Sequence, residues 1–90
     1  MPFVLICRDK PGALQIRMDN RAAHLAYIDA TKVVSLAGPF VDDAGKSTGS
    51  LIVLDLADKA AAEAWAAGDP YAKAGLFESV TVQGWKKVIG

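Results

Sequence analysis

Few residues in this chain are suited to moving protons near neutral pH. His24 is the only histidine, so any imidazole chemistry passes through it. On a helix of about 3.6 residues per turn, Arg17, Arg21, His24 and Ile28 share one stripe. That stripe flanks the face made by Leu14, Met18, Ala22 and Leu25, which places His24 at the edge of a core where a cleft can open. A surface histidine without a role has the same spacing. Asp69 stands before Pro70 at a helix start, where a carboxylate caps free amides. A capping carboxylate uses one oxygen and can present the other to an imidazole. Cys7 is the only cysteine and follows four apolar residues, so it reads as a small buried hydrophobe. A catalytic thiol would need exposure and a lowered pKa. Arg8, Arg17 and Arg21 have the paired donors that suit an anionic group, although each reads by default as a solvated charge. Tyr27, Trp65, Tyr71, Phe77 and Trp85 could line a pocket for an aromatic ring; helical spacing assigns Trp65 to the core instead.

The composition excludes other chemistry. A structural zinc site needs about four Cys or His ligands, and this chain has one of each. Asp42 and Asp43 hint at a cation loop but lack the ligand run of a calcium site. Gly45 and Gly49 lack the strand–loop–helix setting of a phosphate cradle. We expect no metal and no cofactor. Ten basic and ten acidic residues give a net charge of +0, which argues against nucleic acid as a partner. No apolar run approaches the roughly 20 residues of a membrane span. Phe3–Ile6 is too short for a signal-peptide core, so a cytoplasmic protein is expected.

These residues need elements to hold them. At 90 residues and 52% apolar content, the chain reads as one domain spanning 1–90. Phe3–Cys7 reads as a buried strand, and Asp9-Lys10-Pro11-Gly12 as a turn. Ala13–Thr31 reads as a helix whose core face is Leu14, Met18, Ala22 and Leu25. Asp29 falls on that face, which requires a helix end or a partner there. Val33–Ala37 is a second strand, ended or bent by Gly38-Pro39. Ser50–Leu54 is a third, joined to the second as a hairpin through a polar loop at 42–46. Asp58 caps a helix over Lys59–Ala67 with an apolar stripe of Ala61, Ala64 and Trp65, ended by a left-handed Gly68. A short helix from Pro70 to Ala74 closes at Gly75. Ser79–Gln83 alternates as a half-buried fourth strand. The order β-α-β-β-α-β predicts an α+β, ferredoxin-like fold: a four-stranded antiparallel sheet with two helices on one face. The first and third strands are apolar on both faces. The uncovered face therefore predicts a homodimer built sheet to sheet.

A series of short motifs runs through nearly the whole chain in a fixed order. Arg21-Ala22-Ala23-His24-Leu25 comes first, then Ala37-Gly38-Pro39, Gly49-Ser50, Asp69-Pro70-Tyr71 and Ala74-Gly75-Leu76. The series resembles the YciI-like (YCII-related) family. The resemblance implies a dimeric α+β barrel and a cleft in which His24 and Asp69 form a catalytic pair. It also implies cleft positions at Gly38, Pro39 and Ser50; Arg21 and Tyr71, which stand in the quoted motifs, complete the expected substrate-binding set. One branch of the family removes HCl from a chlorinated hydroxyhydroquinone, and this chain has no recognised marker of that branch. The expected function is acid–base chemistry of the lyase or isomerase type on a small molecule. The alternative is a binding or regulatory module that uses the same cleft without turnover.

Overall fold

The computed structural model describes residues 2–90. The elements are β1 (Pro2–Asp9), α1 (Leu14–Thr31), β2 (Val34–Val41), β3 (Ser47–Asp55), α2 (Lys59–Gly68), α3 (Pro70–Lys73) and β4 (Phe77–Gly84). The strands form one antiparallel sheet in the order β2-β3-β1-β4. This is the ferredoxin-like arrangement expected from the sequence, with α3 as the short third helix.

Alternation along the strands sorts residues between the two faces. Phe3, Leu5 and Cys7 of β1 stand opposite Leu54, Ile52 and Ser50 of β3 and point towards the helices. Ala62 and Trp65 of α2 cover them, with Tyr27 and Ile28 of α1 packed alongside. Burial of this set is the main stabilising term, at about 25 cal/mol per Å² of apolar surface. Two hydrogen bonds tie α1 to α2: Tyr27 Oη donates to the Trp65 carbonyl (2.8 Å), and Trp65 Nε1 donates to Thr31 Oγ1 (2.9 Å). On the opposite face lie Val4, Ile6, Leu36, Leu51 and Val53, and among the described residues no helix covers them.

Several expectations change. β2 runs straight through Gly38-Pro39. It is an edge strand, where one flank needs no ladder hydrogen bonds and proline is tolerated. The buried stripe of α2 is Ala62 and Trp65 rather than Ala61 and Ala64. Gly68 is not left-handed; the left-handed glycines are Gly12, Gly45, Gly75 and Gly90. What Gly68 supplies is room, because a Cβ there would lie 2.5 Å from the Tyr27 hydroxyl. α2 ends instead where Asp69 turns extended. β4 is mostly exposed rather than half buried, as the other edge strand.

The largest correction concerns α1. Its expected core face is not buried: Met18 is 60% exposed and Leu25 46%. The residues turned inward are Arg17 and His24. Asp29 therefore needs neither a partner nor a helix end, and it lies exposed on a helix that continues to Thr31. The physical reason is partnership. Each inward polar side chain meets a buried acceptor, so turning the polar stripe inward leaves no orphan charge. That rotation frees the apolar stripe to face across a gap towards β2 and β3.

Candidate active site

The gap is a cleft of ≈ 270 Å³ between α1 and the β2–β3 half of the sheet. Leu14, Met18, Leu25 and Ile28 form one wall. Ala37, Gly38, Pro39 and Ile52 form the other, with Ser47 and Ser50 beside them. Arg17, Arg21, His24 and Tyr71 contribute polar atoms. Of the residues singled out from sequence, Arg21, His24, Gly38, Pro39, Ser50 and Tyr71 all line this one cavity. Asp69 sits behind His24 and is 1% exposed.

His24 Nδ1 lies 2.7 Å from Asp69 Oδ1. The same oxygen accepts the Tyr71 backbone N–H at 3.0 Å. Capping and imidazole binding were expected to use different oxygens; one oxygen serves both. The geometry follows from local sequence. Asp69 leaves α2 in an extended conformation, and Pro70 opens α3 with its φ already helical. The cap bond then holds the carboxylate beneath α1. Because a carboxylate accepts, the Nδ1 position carries the hydrogen. Nε2 is left on the opposite edge of the ring, and among the described residues no hydrogen bond occupies it. The imidazole is also stacked on the Tyr71 ring, with centroids 3.9 Å apart and planes at 15°. Two partners thus fix its position and its plane.

Arg17 is the residue that sequence reasoning misjudged. It is 6% exposed, not solvated. Its Nε donates to Asp9 Oδ2 and its Nη2 to Asp9 Oδ1, both at 2.8 Å, a bidentate pair. Nη2 also donates to Ser50 Oγ at 3.0 Å. The guanidinium carbon stands 4.8 Å from the centre of the Tyr71 ring. Burial pushes the Arg17 pKa down, but the bonds and charge of Asp9 more than offset this and hold it raised. Burial raises the Tyr71 phenol, against the opposing charge of Arg17. Asp9 was read only as part of a turn. The available signal was the seven-residue spacing of Arg17 and His24, which puts both on one stripe.

The remaining candidates lie elsewhere. Cys7 is buried, and burial pushes its thiol up to about 12, with the Asp69 charge adding to the shift. It is the inert hydrophobe expected. Arg8 lies outside the cleft, with its guanidinium 4.5 Å from the Phe40 ring centre. Asp42 Oδ1 accepts the amides of Ala44 and Lys46, so this carboxylate closes its own turn. Among the described residues no group of three His, Cys, Asp or Glu could hold a metal ion. Among them too, no helix is long and apolar enough to cross a membrane.

Residues 1–86 match the YCII-related domain. The chain is also 39% identical to Protein YciI of Escherichia coli over 98% of its own length and 99% of that protein's. The chain belongs to the YCII-related family. A Haemophilus influenzae relative described only as an uncharacterized protein is 36% identical over the same share of this chain. Among solved structures, this YCII-related chain resembles 5-chloro-2-hydroxyhydroquinone dehydrochlorinase (TftG) from Burkholderia phenoliruptrix. The two are 35% identical, with a TM-score of 0.87 over 96% of this chain and 94% of that one. That enzyme was solved in complex with 2,5-dihydroxybenzoquinone. Arabidopsis thaliana At3g17210, at 14% identity and a TM-score of 0.52, shares the fold alone. The fold is that of the dimeric α+β barrel proteins.

Proposed function

We propose that this YCII-related chain acts as a single-domain, cytoplasmic enzyme that performs acid–base chemistry on a small molecule in the α1/β2–β3 cleft. His24 Nε2 accepts a proton from an acidic C–H or O–H of the substrate. The electron pair left behind either expels a leaving group or is reprotonated elsewhere, a lyase-type or isomerase-type outcome. Asp69 positions the imidazole and stabilises the imidazolium that forms. The observation that carries the reading is the 2.7 Å bond from His24 Nδ1 to the buried Asp69, which leaves the other ring nitrogen for the cleft. The likeness to a dehydrochlorinase supports a small-molecule enzyme without fixing the substrate.

The test is a substrate screen that includes 5-chloro-2-hydroxyhydroquinone, followed by His24→Ala and Asp69→Asn on any compound turned over. Positioned acid–base help is worth roughly 10²–10⁴-fold in rate, so His24→Ala should lose activity on that scale. Asp69→Asn should lower kcat while leaving KM near its original value, a split that general loosening of the fold would not give. Activity kept within a few-fold in both variants would remove the pair from the mechanism. A ligand that stabilises the fold yet is recovered unchanged would favour the non-catalytic binding module.

A further inference from the structure

The polar side of the cleft is built from donors. Arg17, Arg21, His24, Ser47, Ser50 and Tyr71 reach it, and no carboxylate lines it. The two acids nearby are already engaged from behind. Asp9 is held by Nε and Nη2 of Arg17, and Asp69 by His24 and the Tyr71 amide. Asp9 cancels the charge of Arg17, and Asp69 stands behind the His24 ring. Arg21 remains. Among the described residues it has no ion-pair partner. It also stands one helical turn from Arg17 on the same stripe, where like charges repel. A bound anion would relieve both conditions.

Ser50 adds direction. It is buried on β3, and its Oγ accepts a hydrogen bond from Arg17 Nη2. A hydroxyl that accepts from a guanidinium must aim its own hydrogen elsewhere. Among the described residues no side-chain acceptor takes it, and the open direction is the cleft. Arg17 is thus a positioning residue that commits Ser50 to donate.

We propose that the cleft takes a small monoanion with a flat apolar body, whose charged oxygen is held by the Ser50 hydroxyl and selected by Arg21. This deepens the function proposed above and rests on the same cleft being the ligand site. The apolar body lies between Met18 and Leu25 on one side and Ala37 and Pro39 on the other. Carboxylates, phenolates and enolates fit this description; neutral amides and alcohols of the same shape fit less well. For a proton-abstracting His24, the same donors would hold the oxygen on which negative charge develops.

The test uses benzoate and benzamide, which share a shape and differ in charge. Titrations followed by amide proton–nitrogen NMR shifts should show benzoate binding about tenfold tighter, because its contacts are charge-assisted. Arg21→Gln should erase the preference by weakening benzoate to about the affinity of benzamide. Ser50→Ala should weaken both probes several-fold, since each offers an oxygen to the hydroxyl. The preference should persist in His24→Asn, because binding benzoate requires no proton abstraction. A failure of acid–base catalysis would show in turnover, whereas a failure of this inference shows in binding. Equal affinity for the two probes, a preference that survives Arg21→Gln, or no shift with benzoate would each overturn it.

Discussion

Replacing Asp69 by alanine tests how the site is held together. Asp69 is 1% exposed, and its carboxylate accepts two hydrogen bonds on one oxygen. Losing the cap to the Tyr71 amide costs about 1 kcal/mol. Losing the charge-assisted bond to His24 costs about 1.5–3 kcal/mol and leaves a buried Nδ1–H without a partner. The total is about 2.5–4 kcal/mol, a large share of the roughly 5–15 kcal/mol that a small domain has. At about 4–8 °C per kcal/mol for a domain of this size, Tm should fall by roughly 10–30 °C. Asp69→Asn keeps an oxygen for the cap and loses only the charge, so its cost should be about 1–2 kcal/mol. Urea unfolding followed by far-UV circular dichroism and tryptophan fluorescence, at one fixed protein concentration, measures both. The decisive comparison is a double-mutant cycle with His24→Ala. Partners in one network should couple by about 1–2 kcal/mol. Additivity within about 0.5 kcal/mol, or an alanine variant that loses no more than an ordinary cap, would refute the argument that the 2.7 Å bond anchors α1.

Three other outcomes are expected. Asp9→Ala should destabilise by about 3–5 kcal/mol, because it leaves the buried Arg17 charge uncompensated; a loss below 1 kcal/mol by denaturant titration would show that the pair is not desolvated as the structure places it. Cys7 should resist thiol reagents at pH 8 until the protein unfolds. Its folded pKa is raised to about 12, so its contribution to stability is complete below the ordinary thiol pKa and is lost as pH rises towards 12. Urea midpoints should fall across that window, and less steeply in Cys7→Ala; identical slopes would discount the shift. Finally, the open sheet face should pair two copies of the chain. Light scattering should give a dimer at micromolar concentration, and Leu36→Glu should shift it to monomer; a wild-type monomer at every concentration would end that expectation.

Much of the fold was legible because hydrophobic periodicity and turn residues are local properties. The strands at Phe3–Cys7 and Ser50–Leu54, the helix to Thr31 and the Asp58 cap all stand where their own residues put them. Edges were harder. Whether Gly38-Pro39 ends β2 depends on its place in the sheet, and strand order is not written in β2 itself. Gly68 was misread for a similar reason: its neighbour is the Tyr27 hydroxyl on another helix.

The candidate site divides in the same way. The sequence by itself determined that any imidazole chemistry must use His24, that Asp69-Pro70 would begin a helix, and that the ordered motifs resemble one family. Tertiary structure alone decided which face of α1 turns inward. Periodicity chose Leu14, Met18, Ala22 and Leu25, because pattern rules assume that apolar residues win the interior. They lost it to Arg17 and His24, whose buried acceptors, Asp9 and Asp69, come from the end of β1 and from the cap of α3. A polar side chain can enter a core only when its partner arrives with it. Partners eight and 45 residues away in sequence are brought together by the fold, and the cleft is the space their pairing leaves open.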